Sequence, residues 1–169
     1  MPLLKGGKLT PDPWTLICDD DVIPGEGAVI VSLTRWREER ERLILRGGPL
    51  GVRLTADQTP GELGEDLEFL DLVALEFPAF TDGRAYSNAR RLRERYGFEG
   101  EVRAVGDVLR DQYRAMHRCG FDALEVRQGE TETESDWQRA LGAITTSMQP
   151  ATDGEETALS LRERRLAAG

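Results

Sequence analysis

The chain has 169 residues, 39% of them hydrophobic, which is enough for one compact domain around one buried core. Its formal net charge of -9 argues against a nucleic-acid or anionic-membrane surface, because phosphate binding needs a concentrated positive patch. No apolar run approaches the roughly 20 residues that cross a bilayer, and the opening MPLLKGGKLTPDP lacks the apolar stretch of a secretory signal, so a cytoplasmic protein is expected.

Residues 1–27 read as an irregular N-terminal arm in which Trp14 to Cys18 can pair as an edge strand before the acidic turn Asp19-Asp20-Asp21. A single α/β domain is expected over 28–149. Ala28 to Leu33 is a short, nearly continuous apolar run, as in a strand buried on both faces. Trp36, Leu43 and Ile44 lie on one side of a helix from Thr34 to about Arg46, which Gly47-Gly48-Pro49 ends. Leu50 to Thr55 is the second strand, and Leu63, Leu67 and Leu70 form the buried stripe of a helix that Pro60 opens.

The third strand, Val73 to Phe77, runs into the loop Pro78-Ala79-Phe80-Thr81-Asp82-Gly83-Arg84, and Ala85, Ala89, Leu92 and Tyr96 then line a helix. Glu101 to Val105 is the fourth strand; Gly106-Asp107 opens a helix carrying Leu109, Gln112, Tyr113, Met116 and Cys119, and Ala123 to Arg127 is the fifth strand. Asp136 to about Met148 reads as a last docked helix through Trp137, Leu141 and Ile144, and 150–169 as a polar tail, helical around Leu159 to Leu166. An internal repeat marks this half: Arg95-Tyr96-Gly97-Phe98 is answered by Arg118-Cys119-Gly120-Phe121, each a helix end, a glycine stop and a phenylalanine before a strand.

Strands alternating with amphipathic helices make parallel βαβ units. Five such strands are too few for an eight-stranded barrel, leaving an open doubly wound sheet or a partial, TIM-like half barrel. The half barrel is favoured because the later strands carry charge in mid-strand, at Arg53, Glu76, Glu101, Arg103 and Glu125. A sheet covered on both faces would have to bury these groups, whereas on a concave face they can pair with one another and meet solvent or a ligand.

In either architecture, ligands bind beyond the carboxyl ends of the strands. That edge is expected to gather Thr55, Asp57, Glu76, Asp82, Gly83, Arg84, Gly106, Asp107, Arg110, Asp111 and Arg127, with Arg103 on the strand beneath. Arginines near two helix starts suit a small oxyanion through bidentate contacts, and Glu76, Asp82 and Asp107 are the candidate carboxylates for acid and base work. The plainer roles are helix capping by Asp82 and Asp107, turns at Gly83 and Gly106, and a salt bridge from Arg84 to Asp82 or Glu76. Cys18 and Cys119 are far apart, Cys119 reads as a small buried hydrophobe, and with His117 as the one histidine no zinc or iron–sulfur ligand set is expected. GxGxxG, GxxxxGK[ST], GxSxG and HExxH are all absent, so no cofactor is implied and a flavin carrier ranks last.

The stretch FPAFTDGRAYSNARRLRERYGFEGEVRAVGDVLRDQYRAMHRCGFDALEV closely resembles the signature of an uncharacterised bacterial family, a domain of unknown function, over about Ile30 to Gly129. Its positions here are Phe80, Asp82, Gly83, Arg84, Tyr86, Ser87, Arg90, Arg93, Arg103, Gly106, Asp107, Asp111, Gln112, Arg118, Cys119, Gly120 and Phe121, with Tyr113 standing where members more often carry an aliphatic residue. Members are encoded beside assimilatory sulfite reductase and the reductase for activated sulfate, so the resemblance implies a role in sulfate assimilation with one of those reductases as partner. A chain with no redox ligands of its own is then expected to be an accessory protein, binding a sulfur oxyanion or the reductase at this edge. The competing expectation is a small enzyme that uses its carboxylates on an anionic substrate held by arginines. A partial barrel also exposes edges that a second copy could cover.

Overall fold

In a computed structural model of the chain, residues 3–126, 133–142, 151 and 157–167 are described. Eight strands, β1 (Leu3–Lys5), β2 (Lys8–Thr10), β3 (Trp14–Leu16), β4 (Ala28–Ser32), β5 (Leu50–Leu54), β6 (Leu72–Phe77), β7 (Glu101–Gly106) and β8 (Ala123–Glu125), form one sheet. Their order is β2-β1-β8-β7-β6-β5-β4-β3. From β3 to β8 every neighbour is parallel and next in sequence, whereas β1 pairs antiparallel with both β2 and β8.

This order dictates the shape. Right-handed crossovers that always step the same way place the helices that connect the parallel strands on one face, so the sheet has no switch point and is wound as a barrel is. Laid flat, eight strands would hold β2 and β3 roughly 33 Å apart. Only residues 11–13 join them, a link that reaches about 15 Å at most. The sheet therefore curls until its two rims nearly meet, which is the half-barrel curvature expected from the charges.

The two faces differ as the strand alternation requires. Val29, Val31, Val52, Leu54, Val73, Leu75, Phe77, Val102, Ala104 and Leu124 pack under the helices with Leu33, Trp36, Leu43, Ala89, Leu92, Met116 and Trp137. On the face without helices, Ile30, Leu72, Ala74 and Val105 form a small apolar floor against which Trp14 packs. The mid-strand charges stand beside that floor and pair with one another.

The helices are α1 (Leu33–Leu45), α2 (Arg84–Arg90), α3 (Tyr113–Arg118), α4 (Glu134–Gly142) and α5 (Ala158–Ala167). Ser32 caps α1 by accepting the Arg35 N–H at 3.0 Å. Leu63, Leu67 and Leu70 are buried, but not on an α-helix: Leu67 lies on the second of two short 3-10 turns, Pro60–Glu62 and Gly64–Phe69, with Leu63 between them and Leu70 extended just after. Gly64, at φ +55°, interrupts any longer helix. Nor does Gly106-Asp107 open a helix: Leu109 is extended, and winding begins at Arg110. Residues 3–10, read as irregular, form a hairpin around Gly6 (φ +57°) and Gly7 (φ +76°).

Both copies of the repeat stop as their glycines require, Gly97 at φ +61° and Gly120 at φ +98°. The Phe121 N–H donates to the Met116 carbonyl at 3.2 Å, and the Phe98 N–H donates to Leu92 at 2.9 Å, one residue further back because 91–95 is a wide π turn. Arg93 links the copies, donating to the carbonyls of Gly100 (2.9 Å), Gly120 (3.1 Å) and Phe98 and to the Asp122 carboxylate. The Tyr113 hydroxyl accepts the Gly7 N–H at 2.8 Å, and the Tyr113 ring stands edge-on to Trp137 of α4, holding hairpin and helix together. Among the described residues no helix is long and apolar enough to cross a membrane.

Candidate functional site

Because β5, β6 and β7 are parallel, the loops that leave them share one rim. Gly106 sets the close approach there: its φ is +97°, and a Cβ would sit 2.4 Å from the Phe77 carbonyl oxygen. The Asp107 N–H donates to that oxygen at 2.8 Å, turning the chain toward the loop after β6. The Asp107 carboxylate accepts the Phe80 N–H at 3.0 Å, and Gln112 Nε2 donates to the Phe80 carbonyl at 2.7 Å. Phe80 is thus held through both main-chain groups by the neighbouring loop, while its side chain leaves the residue 48% exposed. Asn88, buried on α2, donates to the Gln58 carbonyl at 3.1 Å and ties in the loop after β5.

Asp82 and Arg84 face each other within one turn. The Asp82 carboxylate accepts from Arg84 Nη2 (2.6 Å), Nε (3.0 Å) and N–H (3.1 Å). The Arg84 guanidinium, and after it the Arg84 N–H, pulls the Asp82 carboxyl down to about 2. Asp82 is therefore ionised at neutral pH and too weak a base for proton abstraction. The Thr55 hydroxyl, 2.7 Å away, holds the Asp57 carboxyl below its ordinary range. Gly83 stands where α2 begins, and Asp111 is exposed on the turn before α3.

The remaining sequence candidates go elsewhere. Glu76 points to the face without helices and pairs with Arg53 at 3.1 Å, whereas the Asp107 carboxylate meets the Phe80 N–H, so these two candidate carboxylates do not share one site. Arg103 is not at the loop rim. It is 0% exposed on the same helix-free face, 2.8 Å from Asp12 and 2.8 Å from Glu101, with Glu125 at 4.0 Å. Lys5 covers Glu101 at 2.9 Å. Alternation along β7 places residue 103 on the open face, and the link 11–13 then shuts it from solvent. Arg127 lies outside the described residues.

Of the rim residues, Asn88 was not anticipated from the sequence, and Phe80 and Gln112 entered only through the family resemblance: Phe80 is one aromatic in an irregular loop, and Gln112 and Asn88 sit on helical spacings that look like stripe or surface positions. The available signal is polarity out of place, a buried amide on an apolar stripe, which calls for a main-chain partner. Tyr86 packs edge-on to Phe77 (5.3 Å) and Phe121 (6.3 Å) behind this rim. Burial, with the nearby Cys119 and Asp111, pushes its hydroxyl up to about 12.

A family model described as "Bacterial protein of unknown function (DUF934)" matches residues 51–159, from β5 into α5. The search of curated proteins finds no match.

Proposed function

From the premise that the chain belongs to this bacterial family of unknown function (DUF934), we propose that it is a cytoplasmic accessory protein that docks onto a partner enzyme through the loop rim. The observation that carries the reading is Phe80: both main-chain groups are fixed by Asp107 and Gln112 while the ring stands half exposed. An aromatic presented on a backbone that loses no freedom on binding, within a polar rim, is the arrangement of an interface anchor. A free oxyanion is the weaker reading, because Asp57, Asp82, Asp107 and Asp111 outnumber Arg84 and Arg110 there and Asp82 already holds Arg84. The partner class follows from the resemblance of the DGR and GDV segments to proteins encoded beside sulfite reductase: assimilatory sulfite reductase, or the reductase for activated sulfate.

Purified chain and sulfite reductase from the native host, measured by interferometry, test it. Phe80→Ala should weaken binding by at least roughly tenfold, as loss of an anchor does, with the melting temperature unchanged. Binding that ignores Phe80→Ala removes the rim from the interface, and growth on sulfate that survives deletion of the gene removes the pathway. Stabilisation by sulfite or sulfate alone, lost in Arg84→Gln, would favour the oxyanion reading instead.

A further inference from the structure

Strands β5, β6 and β8 raise a mixed-charge cluster on the helix-free face, toward the end where their loops leave. Arg53 is in register with Ala74, Ala74 with Arg103, and Arg103 with Ala123. One step nearer the carboxyl ends, Glu76 is level with Val105, and Glu125, two residues past Ala123, continues that row. Two carboxylates thus flank a buried valine at two strand spacings of about 4.8 Å each, and the curl of the sheet turns their side chains toward each other. Ala74, Val105, Ala123 and Arg103 are all buried, whereas the side chains of Arg53, Glu76 and Glu125 keep 31%, 26% and 20% of their surface exposed. Solvent therefore reaches the cluster at the strand ends, where parallel α/β sheets take their ligands.

The charges in it are unevenly met. Glu76 has a cation, Arg53 Nη2, at 3.1 Å. Among the described residues Glu125 has none within hydrogen-bond reach: Arg103 Nη1 is 4.0 Å away, on a guanidinium already 2.8 Å from both Asp12 and Glu101. Lys5, the other cation of the face, is with Glu101. Burial pushes the Glu125 carboxyl above its ordinary range, Asp12 adds to this, and the pull of Arg103, Arg53 and the amino terminus does not offset it. Arg53 in turn contacts only Glu76 among the described residues, which leaves most of its N–H groups for another acceptor.

A partly buried carboxylate short of a cation, beside a guanidinium short of an oxyanion, is complementary to a molecule that carries both groups. The spacing sets its kind. Arg53 and Glu76 touch, so a carboxylate on Arg53 and an ammonium on Glu76 lie within a few ångströms of each other. That is the separation in an α-amino acid, and it is too short for one with its amine at the end of a chain. We propose that this cluster binds an α-amino acid as its zwitterion, the ammonium donating to Glu125 and Glu76 and the carboxylate accepting from Arg53. The site is separate from the Phe80 rim, and the reading does not depend on the partner proposed above.

Isothermal titration calorimetry on the full chain at neutral pH, with each standard amino acid, ethylamine and acetate in turn, tests it. At least one amino acid should bind with a Kd of about 1 mM or tighter, and ethylamine and acetate at least roughly tenfold more weakly, since each fills half of the site. Glu125→Gln should weaken that binding by at least roughly tenfold without lowering Tm, because Glu125 has no hydrogen bond to lose among the described residues. Arg53→Gln should weaken it as much. No heat from any amino acid at millimolar concentration, ethylamine or acetate binding as tightly as the best of them, or a Glu125→Gln titration that matches the wild type overturns the site. If Arg53→Gln fails to fold, Glu125→Gln decides alone.

Discussion

Arg93 gives the sharpest test of how the repeated half of the chain is held together. Its guanidinium donates to three main-chain carbonyls, those of Phe98, Gly100 and Gly120, and to the Asp122 carboxylate, which also accepts the Val102 N–H at 2.8 Å. One side chain thus ties the end of the π turn to the entries of β7 and β8. A hydrogen bond from a charged donor contributes about 1.5–3 kcal/mol, but the four share one group and Asp122 is partly exposed, so they do not add. We expect Arg93→Ala to lower stability by about 2–4 kcal/mol, a drop in Tm of about 5–12 °C for a chain of this size. Arg93→Lys should recover less than half of the loss, because an ammonium cannot fan out to acceptors arranged around a planar fork. Urea unfolding followed by far-UV circular dichroism, with the slope unchanged, measures both. A loss below about 0.5 kcal/mol for the alanine variant, or a lysine variant equal to wild type, would refute the claim that Arg93 joins the two copies.

Gly106→Ala should be among the most damaging single-methyl changes in the chain, costing at least about 2 kcal/mol through both left-handed strain and a Cβ 2.4 Å from the Phe77 oxygen; urea midpoints report it. Tyr113→Phe leaves the buried Gly7 N–H without its acceptor and should cost about 1–2 kcal/mol, with amide exchange at Gly7 accelerated. Carbon-detected titration of Asp82 should show a midpoint near 2 that rises toward the ordinary carboxylate range in Arg84→Gln, which removes the guanidinium but keeps the residue-84 N–H. Since this carboxyl is depressed on folding, its contribution is present above the ordinary value and disappears as pH falls through about 2, so Arg84→Gln should narrow the difference between neutral and acid stability.

Local chemistry was enough for much of the architecture. The apolar runs placed β4 to β8, and the stripe of Trp36, Leu43 and Ile44 placed α1, to within a few residues, because burial period is a property of neighbours in sequence. Gly97 and Gly120, each followed by phenylalanine, announced both helix stops, and charges in mid-strand announced a face without helices. The hairpin at residues 3–10 was not anticipated: Gly6-Gly7 between two short runs makes a two-residue turn, but the three prolines nearby favoured an irregular arm. The helix expected at residues 60–70 failed where Gly61 and Gly64 outweighed the leucine stripe.

The sequence by itself determined the repeated strand-and-helix units, their stops, and the existence of an uncovered charged face, because each follows from a residue and its near neighbours. Only the tertiary structure decided which charge meets which. Arg103 and Asp12 are 91 residues apart, and their pairing exists because the sheet curls far enough for three residues to bridge its rims. Phe80 and Asp107 meet because two parallel strands end side by side. Such contacts are set by closure of the whole sheet, which no local pattern encodes.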